Sequence, residues 1–597
     1  MLSERSQIPL CAALIAALTV IAFSSSLDNG FVNWDDGLYV TANPLIRDLS
    51  WDNLKEILST FYRDDYRLIT VLLSYTLEYR LFGLDPFIYH LDNLVLHVLN
   101  TLLVFYLVLK LSGRLSVALA TSLLFGVHPV HVEAVAWVSE RKGLLSAFFF
   151  LGAIILYLRY HERSRRVFYY LSLAAFLLSV LSKLVAVTLP VVLLLVDYLS
   201  CRTFTRKTLT EKVPFFVLSG VFAVDTVFMY KAMGQFGSIE PLSAVEVVLL
   251  SCRSLTAYLA GTVLPVNLSA IYPYPAEISI GSPAFFLPPV ILAALAVAVV
   301  YSMKYTRTVV FGALFFLITL SPVLKVVPFA SGGSTMADRY MYVPSVGLLF
   351  LAGLAFHGLY ARAGALGRAS RVAAAAGLGV AVVAGMYLTH QRGEVWKDSE
   401  TLWQSVIERH PESSFARYNL ANAYAKLGRF EEATEEYRLA IALDPDFKDS
   451  RFNLANAYAK LGRYDQAAEE YLAAIRLDPA DKDSHFNLAQ AYLKLGRFEE
   501  AAEEYRLAIA LDPGFEDAHF NLGNLLARLG RFDQAVGEYK KALALDPQRA
   551  DIHNNLGIVY ARSGAADKAV RAFREALRID PDLPGARRNL ERAQGLR

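Results

Sequence analysis

Two adjacent carboxylates, Asp35 and Asp36, follow directly on the first long apolar run of the chain, inside Phe31-Val-Asn-Trp-Asp-Asp-Gly-Leu-Tyr39. Charge so close to a bilayer is costly and marks a working site by default. Three further groups carry the same kinds of side chain. His128-Pro-Val-His-Val-Glu133 is followed by Glu140-Arg-Lys142, Lys183 interrupts two apolar segments in Leu-Ser-Lys-Leu, and Asp338-Arg-Tyr-Met-Tyr-Val-Pro-Ser345 opens a later one. Together they supply carboxylates for general-base or metal work and cations for a phosphate. Each also has a plainer reading. An Asp-Asp pair forms turns and helix caps, and His128 and His131 lack a strong metal-ligand spacing with Glu133. Lys183 can snorkel to an interface, and Arg339 can simply pair with Asp338. Their convergence on one membrane face is what favours chemistry, and that depends on the elements that carry them.

A spanning helix takes about 20 mainly apolar residues. Eleven segments are read as spans: 8–27, 88–109, 115–128, 131–158, 167–182, 184–200, 213–231, 284–303, 308–326, 341–360 and 372–389. The first, preceded by Arg5 and followed by three serines, has the outline of a signal peptide but is expected to stay as an uncleaved span. Alternate short loops collect the basic residues, from Lys110 and Arg114 to Arg362, Arg368 and Arg371, which puts those loops inside. Asp35-Asp36, the His128–Glu133 turn and Asp338-Arg339 then share the outer face. Residues 242–264 are apolar enough to span but contain Glu246 and Arg253. A crossing there would turn the later basic clusters outward, so an outer-face or re-entrant helix is expected. An odd number of spans from an inside N-terminus leaves the C-terminal part outside. The loop of roughly 60 residues between the first two confident spans is too long for a connector. Within it, 49–58 and 67–80 have the periodicity of helices lying on the membrane surface.

From residue 414 the chain repeats itself. Asp-Pro recurs at 444, 478, 512, 546 and 580 and Asn-Leu at 419, 453, 487, 521 and 555, both with a 34-residue period. Alanines at 433, 467, 501, 535 and 569 stand where two helices touch, and Gly428, Gly462, Gly496, Gly530 and Gly564 end the first helix of each pair. This is the tetratricopeptide pattern. The domains expected are a membrane body at 1–390, a leading helix within 391–413, five repeats over 414–583 and a polar closing helix at 584–597, which solenoids need at an open end. The first helices line the inner surface of such an array. They present Asn419, Asn453, Asn487, Asn521 and Asn555, amides with a donor and an acceptor each. A ladder of amides can hold an extended peptide backbone; alternatively the asparagines stabilise the turns between repeats.

Composition agrees with this division. The chain has 597 residues, 55% hydrophobic and 19% charged, below the quarter usual for soluble proteins. A net charge of +2 with no basic tail gives no ground for a nucleic-acid partner. Cys11, Cys201 and Cys252 have neither metal nor redox spacing.

Several motifs resemble one family. Trp34-Asp-Asp-Gly, Tyr66-Arg-Leu-Ile-Thr-Val-Leu-Leu-Ser, Leu81-Phe-Gly-Leu-Asp-Pro, His90-Leu-Asp-Asn-Leu-Val-Leu-His97, His128-Pro-Val-His-Val-Glu-Ala-Val and Asp338-Arg-Tyr-Met-Tyr-Val-Pro-Ser, with the 34-residue repeat, are similar to the transmembrane and tetratricopeptide-repeat protein O-mannosyltransferases. The resemblance implies an all-α protein: a polytopic GT-C-like body of about eleven spans followed by a tetratricopeptide α-solenoid. It implies a polyprenyl- or dolichyl-phosphate sugar donor, with mannose as the expected sugar, and Ser or Thr of a protein as acceptor. It makes Asp35 or Asp36 the catalytic base, Glu133 the second acidic position, and Arg67, Lys183 and Arg339 the ligands of the donor phosphate. A divalent metal is left open. The chain reads Arg67-Leu68 where the family tends to have Arg-Pro, and Asp338 where relatives often carry Glu. The expected place is a prokaryotic plasma membrane with the repeats on its outer face. The rival readings are a membrane-anchored repeat scaffold without catalysis, and an enzyme with a glycan or lipid acceptor.

Overall fold

The computed structural model describes residues 4–59, 68–203, 205–232, 242–275, 277–324 and 334–595. Among them the chain is helical, the single β feature being an isolated bridge between Pro273 and Ser334. It divides into two units, Met1–Pro411 and Glu412–Arg597.

The first unit is a multi-pass membrane body. Among the described residues, eight helices are long and apolar enough to cross a bilayer: Gln7–Asp28, Pro86–Ser112, Val138–Arg163, Arg206–Met229, Ala244–Val263, Pro283–Ser302, Ser345–Leu366 and Arg368–Glu394. Seven of these fall on expected spans. The expected span 131–158 begins later, at Val138, because the chain turns ahead of it: Leu115–Gly126 and Pro129–Ala136 meet at 52°. His128 makes that bend by accepting the Val130 amide on Nδ1 at 3.2 Å, with Pro129 opening the turn where an amide would have no partner. The expected spans 167–182, 184–200 and 308–326 are shorter apolar helices, Arg166–Val180, Leu184–Leu199 and Arg307–Val323.

Residues 242–264 are the segment expected to be an outer-face or re-entrant helix. They form an uninterrupted helix, Ala244–Val263, long and apolar enough to cross. Glu246 is not a charge set within a span. It closes a capping box with Ser243, its carboxylate accepting the Ser243 amide at 2.7 Å. Arg253 lies over the Phe285 ring, 5.2 Å from its centroid. The two surface segments appear as helices Trp51–Ser59 and Ile69–Phe82. The second is tied down by the buried Glu78–Arg141 pair, whose guanidinium also donates to Asn93 Oδ1 at 2.9 Å and to Tyr89 O at 2.8 Å.

Arg307–Leu320 and Ser345–Leu366 approach backbone to backbone, as membrane helices with small residues do. A Cβ on Gly312 would stand 2.8 Å from the Gly347 carbonyl. This contact seats the segment that carries Asp338 and Arg339.

The second unit holds five helix pairs, from Ser414–Lys426 with Phe430–Leu443 to Ala550–Arg562 with Ala566–Ile579, and then the closing helix Ala586–Gln594. The five inter-helix glycines all have φ between 74° and 80°, the left-handed conformation that favours glycine. The ten alanines at positions equivalent to 433 and 440 are fully buried, with Tyr437, Tyr471, Tyr505, Tyr539 and Phe573 packed between the helices. The leading helix, Ser399–Arg409, groups with the membrane unit.

Candidate functional site

The sequence places its charged groups at breaks between helices, where polar side chains escape the apolar pattern. Asp35 and Asp36 lie in the turn before Gly37–Thr41, and Lys183 is an extended residue between two short helices. Asp338 and Arg339 form a 3₁₀ turn ahead of Ser345–Leu366, and Glu133 lies just after the His128 bend.

The two carboxylates of the acidic pair differ. Asp36 is buried, 1% exposed, and accepts three hydrogen bonds: from the Val32 amide at 2.9 Å, the Ser139 amide at 3.0 Å and Ser139 Oγ at 2.5 Å. Burial pushes its carboxyl up to about 6 against the pull of those bonds. It pins the loop to the first turn of Val138–Arg163. Asp35 keeps a side chain 30% exposed, with Lys142 Nζ 3.9 Å from Oδ2. Of the two, Asp35 has the access a proton acceptor needs.

Next to this loop the remaining groups form an alternating row. Arg339 pairs with Glu133, and its backbone amide donates to Glu133 Oε2 at 3.0 Å. Arg339 Nε lies 3.9 Å from Glu140 Oε2, and Lys183 pairs with Glu140 Oε1. The Arg339 guanidinium faces three aromatic rings, Trp34, Trp137 and Tyr340, at 5.5, 5.3 and 5.0 Å. Lys183 and Arg339 line one cleft of about 460 Å³, its open mouth included, with apolar walls from Phe150, Val185, Ala186, Val323 and Val343. Gly143, next in sequence to the lysine at Asp35, lines the same cleft. Two cations lining a cleft with mostly apolar walls suit an amphiphile with an anionic head.

Asp338 does not pair with Arg339. It is buried and accepts the Tyr272 hydroxyl at 2.7 Å, and burial with the nearby Glu133 charge pushes it up to about 7. His128 and His131 are not a metal pair. His128 Nε2 donates to Thr262 O at 3.0 Å, while His131 bonds Phe125 O at 2.9 Å and Ser345 Oγ at 3.0 Å. Among the described residues, no group of three His, Cys, Asp or Glu could hold a metal ion. Arg67 lies outside the described residues.

In the repeats, three of the five asparagines bond to the repeat before them. Asn453 donates to Asn422 Oδ1 at 3.0 Å, Asn487 to Asn456 Oδ1 at 3.3 Å and Asn555 to Asn524 Oδ1 at 2.9 Å. Asn419 is buried and donates to Phe415 O at 2.9 Å; Asn521 is half-buried. Asn453, Asn487 and Asn555 therefore stitch one repeat to the next.

Sequence reasoning grouped Glu140 with the candidate carboxylates but did not foresee that it joins both cations, and it gave no role to Ser139 or to the tryptophans. Trp34, Trp137, Trp396 and Trp403 cluster beside Asp35, with Trp34 centroids 4.4, 6.4 and 5.3 Å from the other three. The available signal was composition: the chain has only five tryptophans, and three of these four adjoin acidic or basic motifs.

The tetratricopeptide repeat family matches residues 402–435, 452–514 and 520–584, and a further TPR repeat match covers 421–462. Protein O-mannosyl-transferase F38B6.6 of Caenorhabditis elegans is 26% identical over 462 residues, covering 72% of this chain and 62% of the relative. Protein O-mannosyl-transferase TMTC1 of Homo sapiens is 26% identical, covering 73% and 55%. Its Drosophila melanogaster namesake is 25% identical, covering 72% and 61%. The chain is thus a homologue of the transmembrane and tetratricopeptide-repeat protein O-mannosyl-transferases, and it spans little more than half the length of these relatives.

Proposed function

We propose that this homologue of the O-mannosyl-transferases is a GT-C-type membrane glycosyltransferase. It moves a sugar, mannose, from a polyprenyl- or dolichyl-phosphate to Ser or Thr of a protein acceptor held by the repeats. The observation that carries the reading is the cleft in which Lys183 and Arg339 meet apolar walls beside the Asp35 loop. Asp35 takes the proton of the acceptor hydroxyl as its oxygen bonds to the sugar carbon. The bond from that carbon to the phosphate oxygen breaks, and the lipid phosphate leaves with the electron pair. Lys183 and Arg339 stabilise the charge on that leaving group, with Arg67 as a further ligand of the same phosphate. Glu133 and Glu140 hold the two cations in place, and Asp36 holds the loop. No step requires a metal. The repeats, on the outer face of a prokaryotic plasma membrane, position the acceptor through remote binding energy.

The test is transfer of radiolabelled mannose from mannosyl-phosphoryl-polyprenol to a Ser/Thr-rich peptide by the full chain in detergent. Asp35→Asn lowers kcat by about 10²–10⁴-fold, the usual worth of a general base, while the protein stays folded. Full activity in Asp35→Asn refutes the assignment of the base. Absence of both transfer and thermal protection by lipid phosphate in the wild type favours the scaffold reading.

A further inference from the structure

The loop carrying the acidic pair is gripped from two sides by distant parts of the chain. On one side Asp36 takes the hydrogen bonds of Ser139. On the other, four hydrogen bonds join residues 29–33 to residues 393–403. Asn29 Nδ2 donates to Gly393 O at 3.2 Å, and the Gly30 amide donates to Lys397 O at 2.8 Å. The Asn33 amide donates to Ser399 Oγ at 2.8 Å, and Trp403 Nε1 donates to Asn33 Oδ1 at 2.6 Å. Trp34 is packed among Trp137, Trp396 and Trp403, of which Trp396 and Trp403 are fully buried. Asp35 is the next residue.

A segment joining a membrane body to a repeat array has no need of such contacts, because domain boundaries ordinarily fall in exposed stretches that few contacts cross. Here the repeat match begins at residue 402, yet helix Ser399–Arg409 is part of the membrane unit. From that helix, Ser399 Oγ and Trp403 Nε1 both bond to Asn33, two residues before the carboxylate.

We propose that Ser399 and Trp403 are positioning residues for Asp35. They fix Asn33 and Trp34, and through them the direction of the carboxylate, without touching donor or acceptor. The proposal rests on the glycosyltransferase reading above.

The test uses the full chain in detergent with mannosyl-phosphoryl-polyprenol and a Ser/Thr-rich peptide. Trp403→Phe keeps an aromatic ring and removes the N–H donor; Ser399→Ala removes the acceptor, and Ser399→Thr restores it. Misplacement of a reacting group by about 1 Å costs on the order of 10²-fold. Trp403→Phe and Ser399→Ala are therefore expected to lower kcat by about 10- to 100-fold, with KM for the peptide within about twofold of wild type. Ser399→Thr recovers the rate, and Asn33→Ala combined with Trp403→Phe is no slower than the slower single variant. A raised KM at unchanged kcat, or full additivity, overturns the proposal. Hydrogen exchange of residues 28–40, followed by mass spectrometry, reads the grip without any transfer assay. Protection there falls in Trp403→Phe and Ser399→Ala, and unchanged protection overturns the proposal whatever the rates. Lost protection in a protein that, as wild type, shows neither transfer nor thermal protection by lipid phosphate removes the enzyme reading and this proposal with it, leaving a structural clasp only.

Discussion

Gly143 offers a one-methyl probe of the cleft. A Cβ built on it stands 2.5 Å from Glu140 Oε1 and 3.5 Å from Lys183 Nζ. Ordinary contact between such atoms begins near ~3.4 Å, so in Gly143→Ala the Glu140 carboxylate must withdraw by roughly 1 Å. That carboxylate is the end of a flexible side chain, so the helix tolerates the change. Alanine in place of glycine inside Arg141–Arg163 favours the helix by about 1 kcal/mol, which offsets part of the cost. The lysine that Glu140 holds does not escape. A charge-assisted hydrogen bond misplaced by this distance is worth about 1.5–3 kcal/mol, or about 10- to 150-fold in rate. Gly143→Ala is thus expected to keep its thermal midpoint close to wild type and to lose between one and two orders of magnitude in kcat/KM for the lipid donor. Gly152 lies on the same helix with nothing within 4 Å of its Cβ position. Gly152→Ala should gain about 1 kcal/mol in stability at unchanged activity. If the two alanine variants transfer sugar equally well, the Glu140–Lys183 pair has no part in holding the donor.

Asp36→Asn leaves one acceptor oxygen for three donors and turns an amide against one of them. Its cost should be about 3 kcal/mol of stability, against about 0.5 kcal/mol or less for Asp35→Asn, measured by thermal unfolding in detergent. Asp338 gives a pH signature. Its folded value near 7 exceeds the ordinary 3.8, so the folded state holds the proton more tightly. The resulting stabilisation is complete below about pH 4 and is lost as pH rises through about 7. Asp338→Asn keeps an acceptor for the Tyr272 hydroxyl and removes this slope; thermal midpoints from pH 4 to 8 that fall in parallel for both proteins would contradict it. In the repeats, His485 reaches Glu504 at 2.6 Å and Pro479 O at 3.3 Å, matching the contacts of Arg451 with Glu470 and Pro445 O one repeat earlier. His485→Arg should preserve the midpoint of the array, and His485→Leu should lower its stability by about 1–3 kcal/mol.

The repeat half was legible because each 34-residue unit must solve the same packing problem, with alanine at helix crossings, a left-handed glycine and one ring between helices. Sequence alone left open whether the asparagines face a ligand or the next repeat, since an amide serves both. Most spans were legible from length and apolarity. The turn at His128 was legible from the break at Pro129; the short helix Pro129–Ala136 that delays the next long one to Val138 was not, because residues 129–138 read as continuous with the apolar run that follows. Glu246 argued against a span when read as a buried charge; as a helix cap at Ser243 it costs nothing of the kind. In the site, the cations and carboxylates were visible as residues outside the apolar pattern. Their pairing was not, since Glu140, Lys183 and Arg339 meet only through folding. The difference between Asp35 and Asp36 depends in large part on Ser139, which donates twice to Asp36 from 103 residues further on.

The grip on the acidic loop also sets an order of events during synthesis. Asn33 leaves the ribosome 366 residues ahead of Ser399 and 370 ahead of Trp403. At about 5–20 residues per second, the loop waits roughly 20–70 s for its partners, while every membrane helix behind it is made and inserted. Throughout that time the acidic pair lies beside a growing bundle with one of its two clasps missing. The segment that completes the site is the last of the membrane half to be translated, so a chain stalled before residue 399 contains Asp35, Lys183 and Arg339 but not the frame that aligns them.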